Sequence, residues 1–475
     1  MSRLLGNWRG DKSTDATYRL LARSLRLLIL DGRVGLGVRL PGERELAQAI
    51  GLSRTTVTAA YNQLRDEGFL LSRQGSGSVT HLPGGPTTVE FGDVFQGEPL
   101  IDWTAAALPA SAGLWQAYEE ALQRLPGYLA GIGYEPLGLS CLREAIARDY
   151  ETRGCPTRPS QIIVTSGAQN GLSLVLRALA APGDRIAVDH PTYHNALGAI
   201  LRHNCQPVPV SLPEEGWDIA GLDAAFRQTG PRFAYLIPDF HVPTGRLMDD
   251  ASRRDLIAIA SRTRTPLLID ETMAETGFGT AVPAAVASHD PEGHLVISLG
   301  SASKRYWGGM RIGWIRASEQ RIAALGRLRA IFDMATSVLE QLTVTVMLEK
   351  GCGAGGHRAE MEMRCDKLIA LLSDQLPHWR TSRPQGGLAL WAELPRPEAS
   401  ALAAMAQSFG LHVAPGPRFG VGDAFERFVR LPFTLPEDHL EQAVERLNQA
   451  NTHLHRRAPH SFEDPLRVIT VEHLI

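Results

Sequence analysis

Apolar Leu20, Leu21, Leu25, Leu28 and Ile29 recur at helical spacing between Tyr18 and Asp31, and Gly32 supplies a stop, so the spacing predicts a first helix there. Pro41 and Gly42 open a shorter helix through about Ile50, Gly51 turns the chain, and Ser53 caps a third helix reaching Glu67. Two short strands, Phe69 to Ser72 and Ser78 to Thr80, flank Gln74-Gly75-Ser76-Gly77. Three helices and a two-stranded wing make a winged helix-turn-helix over residues 1–80.

Residues 81–99 lose this periodicity and hold Pro83, Gly84, Gly85, Pro86, Gly92, Gly97 and Pro99, the composition of a linker. From residue 100 onward, strand-like runs at Ile162–Val164, Arg185–Val188, Phe233–Ile237, Leu267–Ile269 and His294–Leu299 alternate with helical patterns. That alternation predicts an α/β domain over 100–451 with a largely parallel central sheet and ligands at the carboxyl ends of its strands. Residues 452–475 form a tail with no readable pattern.

A chain of 475 residues has room for more than one domain. It contains no run of 18 or more apolar residues, and Met1-Ser-Arg-Leu-Leu-Gly lacks the pattern of a signal peptide, so a cytoplasmic protein with no membrane partner is expected. Five scattered cysteines without a C-x-x-C pair fit reduced thiols better than disulfides or a zinc site, and no metal is expected. The net charge of -3 hides an asymmetry: residues 1–80 carry 12 Lys/Arg against 7 Asp/Glu, whereas the remainder carries 36 against 44. A basic head on an acidic body suits a nucleic-acid partner for the head alone.

Only four lysines occur, and Lys304 ends Leu299-Gly-Ser-Ala-Ser-Lys304, seven residues before Arg311. A strand-end lysine beside Ser301, Ser303 and Arg311 is the arrangement that a Schiff base with pyridoxal 5'-phosphate needs, the hydroxyls and arginine taking the phosphate. Ile162-Ile-Val-Thr-Ser-Gly-Ala-Gln169 adds a strand, a glycine turn and a helix start, so amides near Gly167, Ala168 and Gln169 can cradle an anion. Alone, that stretch is also an ordinary strand-to-helix turn. In the head, the third helix begins Ser53-Arg54-Thr55-Thr56, short polar side chains and an arginine where a helix-turn-helix enters the major groove. Arg44 and the Gly75-Ser76-Gly77 wing would add contacts to the DNA backbone or minor groove. A winged module by itself serves protein contacts as readily as DNA.

On these motifs, residues 15–80 resemble a GntR-type winged helix and residues from about 100 to 450 resemble a fold type I, aspartate aminotransferase-like domain, so the whole chain resembles the MocR/GabR subfamily of bacterial regulators. The resemblance implies that Tyr193 stacks on the cofactor ring, that Asp270 pairs with its pyridine nitrogen, and that Tyr134 reaches the phosphate in a partner subunit. Taken alone, Tyr193 reads as core. Arg430 matches the arginine that grips a ligand carboxylate, with a surface salt bridge as the other reading. Two positions depart from the family: Val242 stands for the asparagine of Asn-Pro-Thr-Gly, and Met273 for a tyrosine three residues after the aspartate. Neither side chain donates a hydrogen bond to the cofactor's phenolic oxygen, and His241 is a neighbour that either substitutes or points the other way.

The implied protein is a regulator that binds double-stranded operator DNA as a homodimer, domain-swapped in some relatives. Its body would sense a small amine, an amino acid or pyridoxal phosphate. A working aminotransferase carrying a DNA-binding head and a cofactor-free scaffold are the other two readings.

Overall fold

The computed structural model describes residues 5, 16–30, 34, 38–73, 77–81, 100–279, 282–352 and 356–456. The expected stop at Gly32, the wing-tip residues Gly75 and Ser76, most of the linker and the tail beyond 456 lie outside them.

The head has α1 (Thr17–Leu30), α2 (Glu43–Ile50), α3 (Arg54–Asp66), β1 (Leu70–Arg73) and β2 (Gly77–Thr80). Leu21, Leu25, Leu46, Val57, Leu64 and Leu70 are buried together, which is where the helical spacing placed its apolar faces. Glu43 clamps α2 to α3, accepting from Thr58 Oγ1 at 2.7 Å and pairing with Arg65 at 3.0 Å. The wing pairs Leu70 with Thr80 in antiparallel register. It is also joined by a bridge between Arg39 and Val79, a contact distant in sequence that no local pattern announces. Gly42 occupies the N-cap of α2 without a side-chain acceptor, at φ -57°, and a Cβ there meets nothing within 4 Å. Gly42→Ser is therefore expected to stabilise α2 by roughly 0.3 kcal/mol, read as slower amide hydrogen exchange across that helix.

The body begins with β3 (Ile101–Asp102), α4 (Leu114–Arg124) and α5 (Ser140–Thr152). Strands and helices then alternate through β4 (Ile162–Thr165), α6 (Ala168–Leu179), β5 (Arg185–His190), α7 (His194–Arg202), β6 (Gln206–Ser211), α8 (Ile219–Thr229), β7 (Phe233–Leu236), α9 (Asp250–Thr263), β8 (Leu267–Asp270), β9 (Val296–Ser301) and β10 (Gly313–Arg316). The seven strands form one sheet in the order β4-β10-β9-β8-β7-β5-β6. Only β10 runs against its neighbours, so the sheet is mostly parallel as the alternation predicts. β6 escapes the periodic reading because Pro207 and Pro209 interrupt it; at the sheet edge a missing N–H is tolerated.

After α10 (Glu319–Arg329), α11 (Val338–Glu349) and α12 (Arg358–Gln375), a second unit contains β11 (Ala389–Glu393), α13 (Ala399–Gln407), β12 (Leu411–His412), β13 (Ala414–Pro415), β14 (Phe428–Pro432) and α14 (Glu437–Arg456). Its three-stranded sheet has the order β11-β14-β13, and β12 pairs with β3, tying the start of the body to its end. Leu368, Leu390, Leu402, Val429, Leu431 and Leu440 form its core. α14 continues to Arg456, five residues past where the sequence pattern ends the body.

Candidate functional site

The parallel direction of the large sheet gathers the carboxyl ends of β4, β5, β7, β8 and β9 at one edge, and the sequence motifs lie there. A cavity of about 560 Å³ opens at that edge, lined by Ala168, Gln169, Tyr193, Asp270, Ser301, Ser303, Lys304, Arg311 and Arg430. Gly167 borders it through Arg311. Nine residues spread over some 260 positions are thus brought together by topology alone.

The antiparallel β10 explains how Arg311 arrives. Gly313 pairs with Thr165 on one side and Ser301 on the other, so the residues just before it fall between the β4 turn and the β9 end. Arg311 sits at φ 53°, a left-handed conformation that costs a non-glycine residue about 1 kcal/mol. Its guanidinium donates to Ser166 O at 3.2 Å and Gly308 O at 3.3 Å. Gly167 is required: its φ of 93° suits glycine, and a Cβ there would lie 2.5 Å from Arg311 Nη2. α6 starts at Ala168 with no side-chain cap, leaving its first amides free to face an anion. Ser301 Oγ accepts from Ser303 N at 3.1 Å and so orders the turn leading to Lys304.

Lys304 is half-buried, and its Nζ donates to Ala106 O at 2.6 Å. Burial, with help from the nearby positive charge of Arg430, lowers its pKa to about 8. Asp270 is also buried, which pushes its pKa up, while donors hold it down: Tyr235 Oη at 2.6 Å and the Thr272 amide at 2.9 Å. Tyr193 is half-buried, with Asn195 donating to its hydroxyl at 2.8 Å.

Arg430 lies inside β14, opposite Trp391 and Ala414, and is 5% exposed. The surface salt bridge is therefore excluded: it makes no ion pair among the described residues, stacks over Phe419 at 5.0 Å, and its Nε has no partner. Its Nη2 donates to Thr104 O. A buried guanidinium with an unspent donor at a cavity wall can pair with a carboxylate.

Val242 and Met273 both line the cavity, so the two departures do face the site. His241 lines the same cavity, and its Nε2 has no hydrogen-bond partner among the described residues. Its Nδ1 is 2.9 Å from Thr244 Oγ1, its Nε2 turns toward Asp189 at 3.6 Å, and burial lowers its pKa to about 3. Tyr134 is 55% exposed and is not among the residues lining the cavity. Sequence reading missed Tyr235 and Thr272 on Asp270, and His194, whose pKa burial lowers to about 4. Adjacency to Tyr193 and Asp270 pointed to His194 and Thr272; nothing local linked Tyr235 to Asp270.

Residues 121–447 match the family described as Aminotransferase class I and II. The chain belongs to that family. Residues 17–79 match a second, Bacterial regulatory proteins, gntR family, and the two together correspond to the MocR/GabR arrangement. The chain is 28% identical to the HTH-type transcriptional regulator YdcR of Escherichia coli, over 91% of its own length and 98% of the relative's. It is also 28% identical to the probable rhizopine catabolism regulatory protein MocR of Rhizobium meliloti, over 85% and 87%. Among solved structures, LysN, an α-aminoadipate aminotransferase of Thermus thermophilus complexed with N-(5'-phosphopyridoxyl)-L-leucine, superimposes with a TM-score of 0.69 at 26% identity. That likeness covers 75% of this chain and 93% of LysN.

The aminotransferase class I and II family depends on pyridoxal phosphate, and this cavity fits the group. A glycine cradle with free helix amides and Arg311 suits a phosphate, a buried carboxylate suits a protonated ring nitrogen, and a half-buried amine of lowered proton affinity suits covalent attachment. The cofactor, when bound, supplies a reactive carbonyl and a ring that withdraws electrons. Partial burial strengthens the charge contacts around the Lys304 amine.

The gntR-type head presents a second site. Ser53 Oγ accepts from the Thr56 amide at 3.1 Å as the cap of α3 and contacts Thr55 and Thr56 hydroxyls at 2.8 and 2.7 Å. Arg44 and Arg54 are exposed and make no ion pair among the described residues. Gly77 begins β2 at φ 84°. Among the described residues no helix is long and apolar enough to cross a membrane, no acid, histidine and cysteine cluster forms a metal site, and all five cysteines are unpaired.

Proposed function

We propose that the chain is a DNA-binding transcriptional regulator whose body holds pyridoxal phosphate on Lys304 and senses a small amine, an amino acid or pyridoxal phosphate itself. One observation carries the reading: a single cavity combines a full set of holding groups with an incomplete set of tuning groups. Lys304, Asp270, Ser301, Ser303 and Arg311 are present, while Val242 and Met273 stand where donors to the phenolic oxygen are expected. Such a site captures an amine without being built for repeated turnover. The regulator names of YdcR and MocR support the same reading.

In this reading the amides of Gly167, Ala168 and Gln169 take the phosphate with Ser301, Ser303 and Arg311, Tyr193 faces the ring, and Arg430 receives the effector's carboxylate. Tyr134 completes the site of a partner subunit. Exposed Leu129, Ile132, Ile331, Phe332 and Met334 support a homodimer, since apolar side chains of this size seldom stand free in numbers. The chain divides into a head (1–80), linker (81–99), body (from 100, its last helix reaching Arg456) and tail, and the 19-residue linker permits the swapped arrangement. A cytoplasmic location follows from the DNA target.

For the head, Arg54, Thr55 and Thr56 at the start of α3 read bases from the major groove, capped by Ser53, while Arg44 and residues 75–77 contact the backbone. Arg54→Ala is expected to weaken operator binding by about 10- to 100-fold and relax preference at one base pair. Arg44→Ala should weaken all sequences alike and flatten the salt dependence. Fluorescence anisotropy on an operator selected from random DNA by the protein itself checks both.

Titrating amines and amino acids into cofactor-loaded protein, while following DNA affinity and oxo-acid release, tests the whole reading. The expected result is a shift in DNA affinity with no more than about one turnover per subunit. Sustained oxo-acid release would favour the aminotransferase reading, which the retained Asp270, Lys304 and Arg430 and the likeness to LysN support.

A further inference from the structure

We propose that Tyr235 is the positioning residue for Asp270, its phenol aiming the carboxylate at the ring nitrogen of the cofactor and keeping it ionised. The inference rests on the reading above that Asp270 pairs with that nitrogen.

β7 and β8 are adjacent and parallel, with Tyr235 in register with Leu268. The long tyrosine side chain therefore spans the two remaining residues of β8 and meets Asp270 where that strand ends. The Oη to Oδ2 distance of 2.6 Å is that of a short charge-assisted hydrogen bond, in which a neutral phenol gives its proton toward a carboxylate. Oδ1 is held by the Thr272 amide at 2.9 Å, so each oxygen has one fixed donor and the carboxylate cannot rotate freely. Tyr235 is fully buried and lines the cavity, and among the described residues its hydroxyl makes no other hydrogen bond.

The need for such a partner follows from Asp270's surroundings. A carboxylate buried this deeply tends to take up a proton, and Asp239 adds a like charge. A protonated Asp270 cannot stabilise a protonated ring nitrogen. Tyr235 and both the amide and the side chain of Thr272 offset the burial, and Tyr235 comes first among them and is the one that reaches Asp270 from a neighbouring strand. Its weight is greater here because Val242 and Met273 cannot donate at the ring's phenolic oxygen. The nitrogen end is then where this chain retains electronic control over the ring.

The test measures affinity for pyridoxal phosphate by fluorescence titration of full-length wild type, Tyr235→Phe, Asp270→Asn and the double variant. The same titrations are run with 1-deazapyridoxal phosphate, which lacks the ring nitrogen. Tyr235→Phe is expected to bind pyridoxal phosphate about tenfold more weakly. It should bind the deaza analogue like wild type, and add nothing in the Asp270→Asn background. An equal loss for both ligands, an additive loss in the double variant, or no loss at all would each overturn the role of Tyr235. If Asp270→Asn itself binds pyridoxal phosphate like wild type, the pairing assigned to Asp270 fails instead, a separate outcome. Near-ultraviolet circular dichroism of the cofactor-free variants reports whether the fold is kept, and the comparison of the two ligands holds within one protein whatever its stability.

Discussion

Lys304→Ala is expected to remove the visible absorption band that pyridoxal phosphate gives with the wild-type chain, together with the portion that borohydride fixes covalently. Among the described residues no other lysine lines the cavity, and Lys350 and Lys367 are ion-paired with Glu120, Glu437 and Glu441. The amine must be neutral to attack a carbonyl, so the lowered pKa of Lys304 sets a pH dependence. With a pKa of about 8, roughly one amine in ten is neutral at pH 7, against about one in 2,500 for an ordinary lysine near 10.4. The attachment rate should therefore rise about tenfold per pH unit up to pH 8 and level above it. Arg430→Gln removes a positive charge that helps depress Lys304, so the plateau should move to higher pH. Stopped-flow absorbance across pH 6–9.5 measures both, and a rate still climbing tenfold per unit at pH 9 in the wild type would contradict the half-buried, depressed amine.

The second large effect belongs to Gly167→Ala. Gly167 sits at φ 93° and ψ 162°, a region closed to L side chains at a cost of about 1–3 kcal/mol. The added Cβ also falls 2.5 Å from Arg311 Nη2, and the side-chain end is the part that moves. Both changes act on the phosphate corner: the first turn of α6 shifts, and the cation leaves it. Losing one charge-assisted contact costs about 1.5–3 kcal/mol, so affinity for pyridoxal phosphate should fall about 100-fold. Gly183→Ala is the control, because Gly183 has a similar φ of 91° but a Cβ there meets nothing within 4 Å. Its expected cost is to stability alone. Equal cofactor affinity in Gly167→Ala and wild type would remove Gly167 and Arg311 from the phosphate site.

Much of this site is legible in the sequence because its parts lie at ends of strands, and strand ends are local events. Ser301 to Lys304, Gly167 to Gln169 and Asp270 each follow a short apolar run and precede a turn or helix. Arg430 gives no such signal: it lies within a strand of a different sheet, and only the closure of β14 against β11 and β13 shows it to be buried beside a cavity. Tyr235 is hidden for a related reason. In the run Phe233-Ala-Tyr-Leu it looks like any core aromatic, and its function depends on β8 lying next to β7. The bridge from Arg39 to the wing is a third contact that periodicity cannot report.

The sequence by itself determined the two-part architecture, the helix-turn-helix, the run of parallel strands and the identity of the groups that suit pyridoxal phosphate. Each of these depends on spacing or residue type within a short window, where backbone geometry leaves few choices. The tertiary structure decided what spacing cannot: that β10 runs antiparallel and so delivers Arg311 to Gly167, that His241 is buried with its Nδ1 held by Thr244, and that Tyr235 holds Asp270. Those outcomes turn on which strands become neighbours and in what direction, and strand order is set by packing across the whole sheet.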